Sequence, residues 1–185
     1  MKMKIRQLIS LYCFVCLSLT SPNLAKAASF IPQEVAVSYG HGIDVNQWLQ
    51  IDFIQHVTPP LHILEEYLHE PYLDIGIAKS WWDRSNETAY HLSANLMVRS
   101  QSINTEAGNF FFEAGFGPHL FSRPAKTNRL DTAFEFNSFV GVGIELNSEW
   151  SFIARARHLS NAGITEPNAG VNLYLYQLHY RFQQP

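Results

Sequence analysis

Two stretches near the C-terminus decide how this chain is read: Trp-Ser-Phe-Ile-Ala-Arg-Ala-Arg-His-Leu-Ser at 150–160 and Val-Asn-Leu-Tyr-Leu-Tyr-Gln-Leu-His-Tyr-Arg-Phe at 171–182. In the first, Phe152, Ala154 and Ala156 alternate with Arg155 and Arg157. In the second, Tyr174, Tyr176, Leu178, Tyr180 and Phe182 alternate with Gln177, His179 and Arg181. A period of two belongs to a β-strand, whose successive side chains point to opposite faces. Each segment therefore has one apolar and aromatic face and one polar, charged face.

The same texture runs back through the chain. Val35, Val37 and Tyr39 alternate with small residues, and Leu49, Ile51 and Phe53 alternate with Gln50 and Asp52. Leu73, Ile75 and Ile77 oppose Asp74, while Leu92, Leu96 and Val98 oppose Ser93, Asn95 and Arg99. Phe110, Phe112 and Phe116 oppose Glu113, and Phe134, Phe136, Val140, Val142 and Ile144 oppose Glu135, Asn137 and Glu145. That makes eight segments separated by turn-forming residues. Only 61–70 departs from the pattern, with Leu61, Leu64 and Leu68 at helical spacing.

Eight alternating strands fit either a soluble barrel with its apolar face inward or an outer-membrane barrel with that face towards lipid. The charged residues favour the second. Asp52, Asp74, Arg99, Glu113, Glu135, Glu145, Arg155, Arg157 and Arg181 share the polar faces, where a narrow barrel can pair them inside. The expected fold is all-β: an eight-stranded antiparallel up-and-down transmembrane β-barrel. Trp48, Trp81, Trp82 and Trp150 fall near strand ends and are expected in interfacial aromatic girdles.

Composition bounds the rest. The chain has 185 residues, 46% of them hydrophobic and 16% charged, with a mean hydropathy of -0.09. Residues 1–27 read as a signal peptide, with basic Lys2, Lys4 and Arg6, an apolar run from Leu8 to Leu19 and small Ala25 and Ala27 before the cut. Residues 28–185 then form a single barrel domain. That domain lacks Cys13 and Cys16 and keeps nine basic residues against 16 acidic ones, a net charge of −7. Thiol chemistry is excluded, and nucleic acid is an unsuitable partner for so acidic a domain. His56, His62 and His69 have no cysteine or matched carboxylate spacing beside them, so no metal and no cofactor are expected.

The run Arg157-His158-Leu159-Ser160-Asn161-Ala162-Gly163, followed by Pro167-Asn168-x-Gly170, is where chemistry would sit. A serine hydroxyl needs a base, and residues two apart on a strand share a face at about 7 Å between Cα atoms. Parity puts His158 and Ser160 on the apolar, lipid-facing side, with Asn172 of the next strand beside them. Polar groups there are costly without a purpose. With the N-terminus in the periplasm, the connection after Ser160 is extracellular, at the outer-leaflet interface.

These residues carry a family resemblance. His158-x-Ser160-Asn161-Ala162-Gly163, the Pro167-Asn168-x-Gly170 turn and the closing Tyr180-Arg181-Phe182 resemble the outer-membrane lipid A 3-O-deacylases. The resemblance implies an esterase of the Gram-negative outer membrane that removes the 3-O-linked primary acyl chain of lipid A, with lipid A or lipopolysaccharide as its substrate. It implies Ser160 as nucleophile, His158 as general base, and an oxyanion site built from Asn161, Asn168 and the amides around Ala162 and Gly163. Where the family has a glutamate as its acid, this chain has Asn172. An amide can orient an imidazole but supplies no charge; Glu166 is the alternative acid if its loop folds inward. Two rivals remain: a catalytically weak or inactive barrel with a structural or lipid-binding role, and a soluble periplasmic barrel binding an apolar ligand. A homodimer is left open.

Overall fold

The computed structural model describes residues 30–57, 71–82, 87–123, 130 and 132–183. Residues 1–27, expected to be a signal peptide, His62, His69 and the helically spaced stretch 61–70 lie outside these residues. The strands are β1 (Glu34–Gly42), β2 (Val45–His56), β3 (Pro71–Trp82), β4 (Thr88–Arg99), β5 (Ile103–Thr105), β6 (Gly108–Phe121), β7 (Phe134–Glu145), β8 (Trp150–Ser160) and β9 (Val171–Arg181). Every pairing is antiparallel. β9 closes onto β1, and β4 onto β6, so the eight long strands form a barrel with no free edge. β5 pairs with β6 alone, as a short hairpin extension.

The faces divide as parity requires. Val37, Ile51, Ile77, Phe112, Val140, Tyr174 and Leu178 are exposed on the outside, Val140 by 62%. Inside, Asp52, Asp74, Arg99, Glu113, Glu135, Arg155 and Arg157 are buried. A soluble barrel has the opposite arrangement; charges inside and hydrocarbon-like side chains outside suit a lipid surround.

The lumen is filled rather than open. Arg155 meets Glu113 at 2.6 Å and Asp74 at 3.2 Å, and Arg99 meets Glu34 at 3.0 Å and Glu113 at 3.5 Å. Arg157 donates to Gln50 Oε1 at 2.6 Å. Glu113 is thus shared by Arg155 and Arg99, whereas Glu135 accepts from Thr132 Oγ1 and Glu145 from Ser102 Oγ. Towards the end of the barrel where β8 finishes, the filling becomes apolar: Val45, Trp48, Trp82, Phe121, Leu130, Leu159, Val171 and Leu173 pack in one cluster. Set into this cap, Ser80 Oγ lies 2.7 Å from His91 Nε2, and His91 Nδ1 lies 3.1 Å from His119 Nε2.

Two of the four tryptophans depart from the expected girdle. Trp48 and Trp82 do not join an outer girdle; both are buried in the lumen, where their indole N–H groups donate to Gln50 Oε1 and Ser80 Oγ. Trp48 shares the parity of Gln50 and Asp52, and parity outweighs proximity to a strand end. Trp81 and Trp150 do face outwards.

Candidate active site

β8 and β9 form the hairpin that carries the site. Their register sets His158 directly opposite Asn172, and the β7–β8 register sets Ser138 on the other side of His158. Both His158 and Asn172 face outwards. His158 Nδ1 lies 2.7 Å from Asn172 Oδ1. An amide oxygen only accepts, so Nδ1 carries the proton and Nε2 presents its lone pair, the tautomer a general base needs.

The imidazole rests on Gly170. A Cβ at that position would fall 2.5 Å from His158 Cε1 and 2.9 Å from Nε2, and the backbone there has φ +69°. Glycine is required for both reasons. This residue was legible in the sequence only as part of the Pro167-Asn168-x-Gly170 turn, with no role attached.

Ser160 is half-buried at the end of β8, on the same face as His158, and pairs with Phe136 of β7. Among the described residues its hydroxyl makes no hydrogen bond, so the structure joins His158 to Asn172 but not to Ser160. Unliganded catalytic pairs are often loose in this way and tighten around substrate.

The 161–170 connection is built by the two asparagines. Asn161 O accepts Ile164 N–H at 3.1 Å across a turn whose central residues, Ala162 and Gly163, have φ 56° and 79°. Two positive central φ values are the type I′ pattern. Asn161 Oδ1 accepts Gly163 N–H at 2.9 Å, while its Nδ2 donates to Thr165 O at 3.0 Å and Thr165 Oγ1 at 3.1 Å. Asn168 Oδ1 accepts Asn161 N–H at 2.9 Å. Of the four expected oxyanion residues, Asn161 and Gly163 therefore use their donors within the loop. Ala162 N–H and Asn168 Nδ2 make no hydrogen bond among the described residues. Glu166 is exposed and accepts Asn168 N–H at 3.2 Å; it makes no bond to His158.

Beside the imidazole runs a groove of about 290 Å³ on the barrel's outer wall. Ala156 forms its floor, with Val140 and Tyr174, its partners in register, as sides and with Ser138, His158 and Asn172 at one end. A small residue between larger ones leaves a trough for an apolar chain, open to the surroundings and adjacent to a base. Among the described residues no group of three or more His, Cys, Asp or Glu side chains could hold a metal ion, and His56 stands at the end of β2, edge-on to Tyr72.

A family model described as lipid A 3-O-deacylase (PagL) matches residues 37–181, from β1 to the end of β9. The chain belongs to this family. Two relatives, both named lipid A deacylase PagL, come from Bordetella bronchiseptica, 34% identical over 111 residues, and Pseudomonas aeruginosa, 31% identical over 106 residues. These matches cover 60% and 56% of this chain and 60% of each relative's length. Among solved structures, the outer membrane enzyme PagL superposes with a TM-score of 0.64 at 19% identity, over 80% of this chain and 99% of that one. The N-terminal β-barrel domain of Pseudomonas aeruginosa OprF gives 0.52 at 8% identity, over 80% of this chain and 96% of that one. Both likenesses bear on the barrel alone.

Proposed function

We propose that this PagL-family chain is an outer-membrane esterase that removes the 3-O-linked acyl chain of lipid A, with Ser160 as nucleophile, His158 as general base and Asn172 as the residue that holds the base. The observation that carries the reading is the His158 Nδ1–Asn172 Oδ1 bond of 2.7 Å on a mainly apolar outer face, two residues from Ser160.

In the first step Ser160 Oγ attacks the ester carbonyl carbon as its proton passes to His158 Nε2. The tetrahedral oxyanion is met by Ala162 N–H and Asn168 Nδ2, the donors left over in the loop. Collapse expels the sugar 3-oxygen, which takes the proton from His158, and leaves an acyl-Ser160 ester. Water then attacks that ester with His158 again as base, releasing the fatty acid and restoring the hydroxyl. The outgoing acyl chain lies along the Ala156 groove. Asn172 fixes the tautomer throughout but adds no negative charge beside the imidazolium, so turnover is slower than with a carboxylate there.

That same neutral partner favours a second reading, a family member retained for structure or lipid binding with its catalysis lost. Mass spectrometry of lipid A from cells producing the chain or its Ser160→Ala variant separates the two. The esterase reading predicts loss of one hydroxyacyl chain with the former alone; unchanged lipid A in both, with the barrel folded, selects the second.

A further inference from the structure

The outward faces of the eight long strands carry, among the described residues, a single Lys, Arg, Asp or Glu side chain: Lys79 of β3. Every other ionised strand residue faces the lumen or its mouth. Charges on a lipid-facing surface are costly and are functional by default.

Lys79 is also held. Its ammonium lies 4.6 Å from the ring centroid of Trp81 and 5.8 Å from that of Tyr90, its partner in register on β4. Both rings face outwards, Tyr90 prominently. Such rings stabilise a cation without neutralising it, and no carboxylate among the described residues pairs with Lys79. A second cation stands across β4: Arg123, just beyond β6, is exposed and donates to Thr88 O through Nε at 3.0 Å and through Nη2. Thr88 is the register partner of Trp81. Lys79 and Arg123 thus belong to the two chain segments on either side of β4, whose backbones lie about 10 Å apart, two strand spacings. In so acidic a domain this is no general basic field.

The site lies at the end of the barrel where β8 also finishes, because β3 and β8 run in the same direction. Lys79 lies on the opposite wall, four strands from β8 either way round, while Arg123 follows β6, two strands from β8, and neither lines the groove beside His158. The site is therefore separate from the His158 groove. We propose that Lys79 and Arg123, framed by Trp81 and Tyr90, bind the phosphorylated head group of a membrane lipid. The ammonium and guanidinium supply charge-assisted donors to phosphate oxygens, and the aromatic faces seat the apolar part of the head group at the interface.

Native mass spectrometry of the full barrel, released from zwitterionic detergent, tests this. The probes are phosphorylated lipid A, its dephosphorylated form, phosphatidylglycerol and inorganic phosphate at equal concentration. Wild type should retain the phosphate-bearing lipids about tenfold more tightly than Lys79→Gln/Arg123→Gln, as expected for lost charge-assisted bonds. Lys79→Arg should retain them, and heat-modifiable gel migration should report every variant folded. Retention of phosphatidylglycerol as well, with the same Lys79 dependence, supports a site for lipid phosphate in general. Equal retention by the double variant overturns the proposal, as does equal retention of the dephosphorylated lipid or occupancy by inorganic phosphate as strong as by lipid. Phosphatidylglycerol is not the substrate of the proposed esterase, so the dependence of its retention on Lys79 stands whether or not the chain is an esterase.

Discussion

Replacing Gly170 by alanine puts a methyl group where the His158 imidazole lies. The new Cβ would be 2.5 Å from Cε1 and 2.9 Å from Nε2, whereas carbon atoms in ordinary contact sit about 3.5–4.0 Å apart. The ring must retreat by roughly 1 Å, which breaks its 2.7 Å bond to Asn172 Oδ1 and moves Nε2 from its seat beside Gly170. Misplacement on that scale costs on the order of 100-fold in rate. The backbone has its own cost, since alanine at φ +69° loses about 1–2 kcal/mol. Gly163→Ala separates the two effects: its φ is +79° but nothing lies within 4 Å of the added Cβ. The two variants should lose similar stability in urea, read by heat-modifiable migration. Only Gly170→Ala should lose about two orders of magnitude in release of fatty acid from purified lipid A. Equal losses of activity in both, or full activity in Gly170→Ala, would refute the claim that the ring's seat on Gly170 sets the base.

Further outcomes follow from the same geometry. Asn172→Glu should raise turnover by adding charge beside the imidazolium, while Asn172→Leu should lower it on the order of 100-fold; initial rates of fatty-acid release measure both. Ala156→Phe fills the floor of the groove and should reduce kcat/KM on the order of tenfold, with folding intact because the side chain faces outwards. Arg155→Met leaves Asp74 and Glu113 without their shared cation and should destabilise the barrel by about 3–5 kcal/mol, seen as a lower urea midpoint. In single-tryptophan variants reconstituted with bromine-labelled acyl chains, Trp150 should be quenched strongly and the lumenal Trp48 hardly at all.

The barrel was legible because its physics is periodic. Arg155 and Arg157 between Ala154, Ala156 and Phe152 can only be satisfied if one face meets charges and the other meets hydrocarbon. His158 and Asn172 were legible as neighbours because a hairpin places both on the same outward face. β5 was not, since Ile103, Asn104 and Thr105 are all exposed and have no buried face to impose alternation. Trp48 lies close to a strand end, but its parity with Gln50 decides its place in the lumen. The loop after Ser160 was readable as a turn but not in its bonding. That Asn161 would spend both amide hydrogens on Thr165, and that His158 would rest on Gly170, depend on a fold of the loop that no local periodicity encodes.

The central claim is that Ser160 becomes acylated by lipid A, and peptide mass spectrometry of the purified barrel quenched in acid during turnover tests it most directly. The account predicts a hydroxyacyl adduct on the peptide containing Ser160, absent in Ser160→Ala and accumulating in wild type if the second step is the slower. An adduct on another residue, or undiminished release of fatty acid by Ser160→Ala, would contradict it.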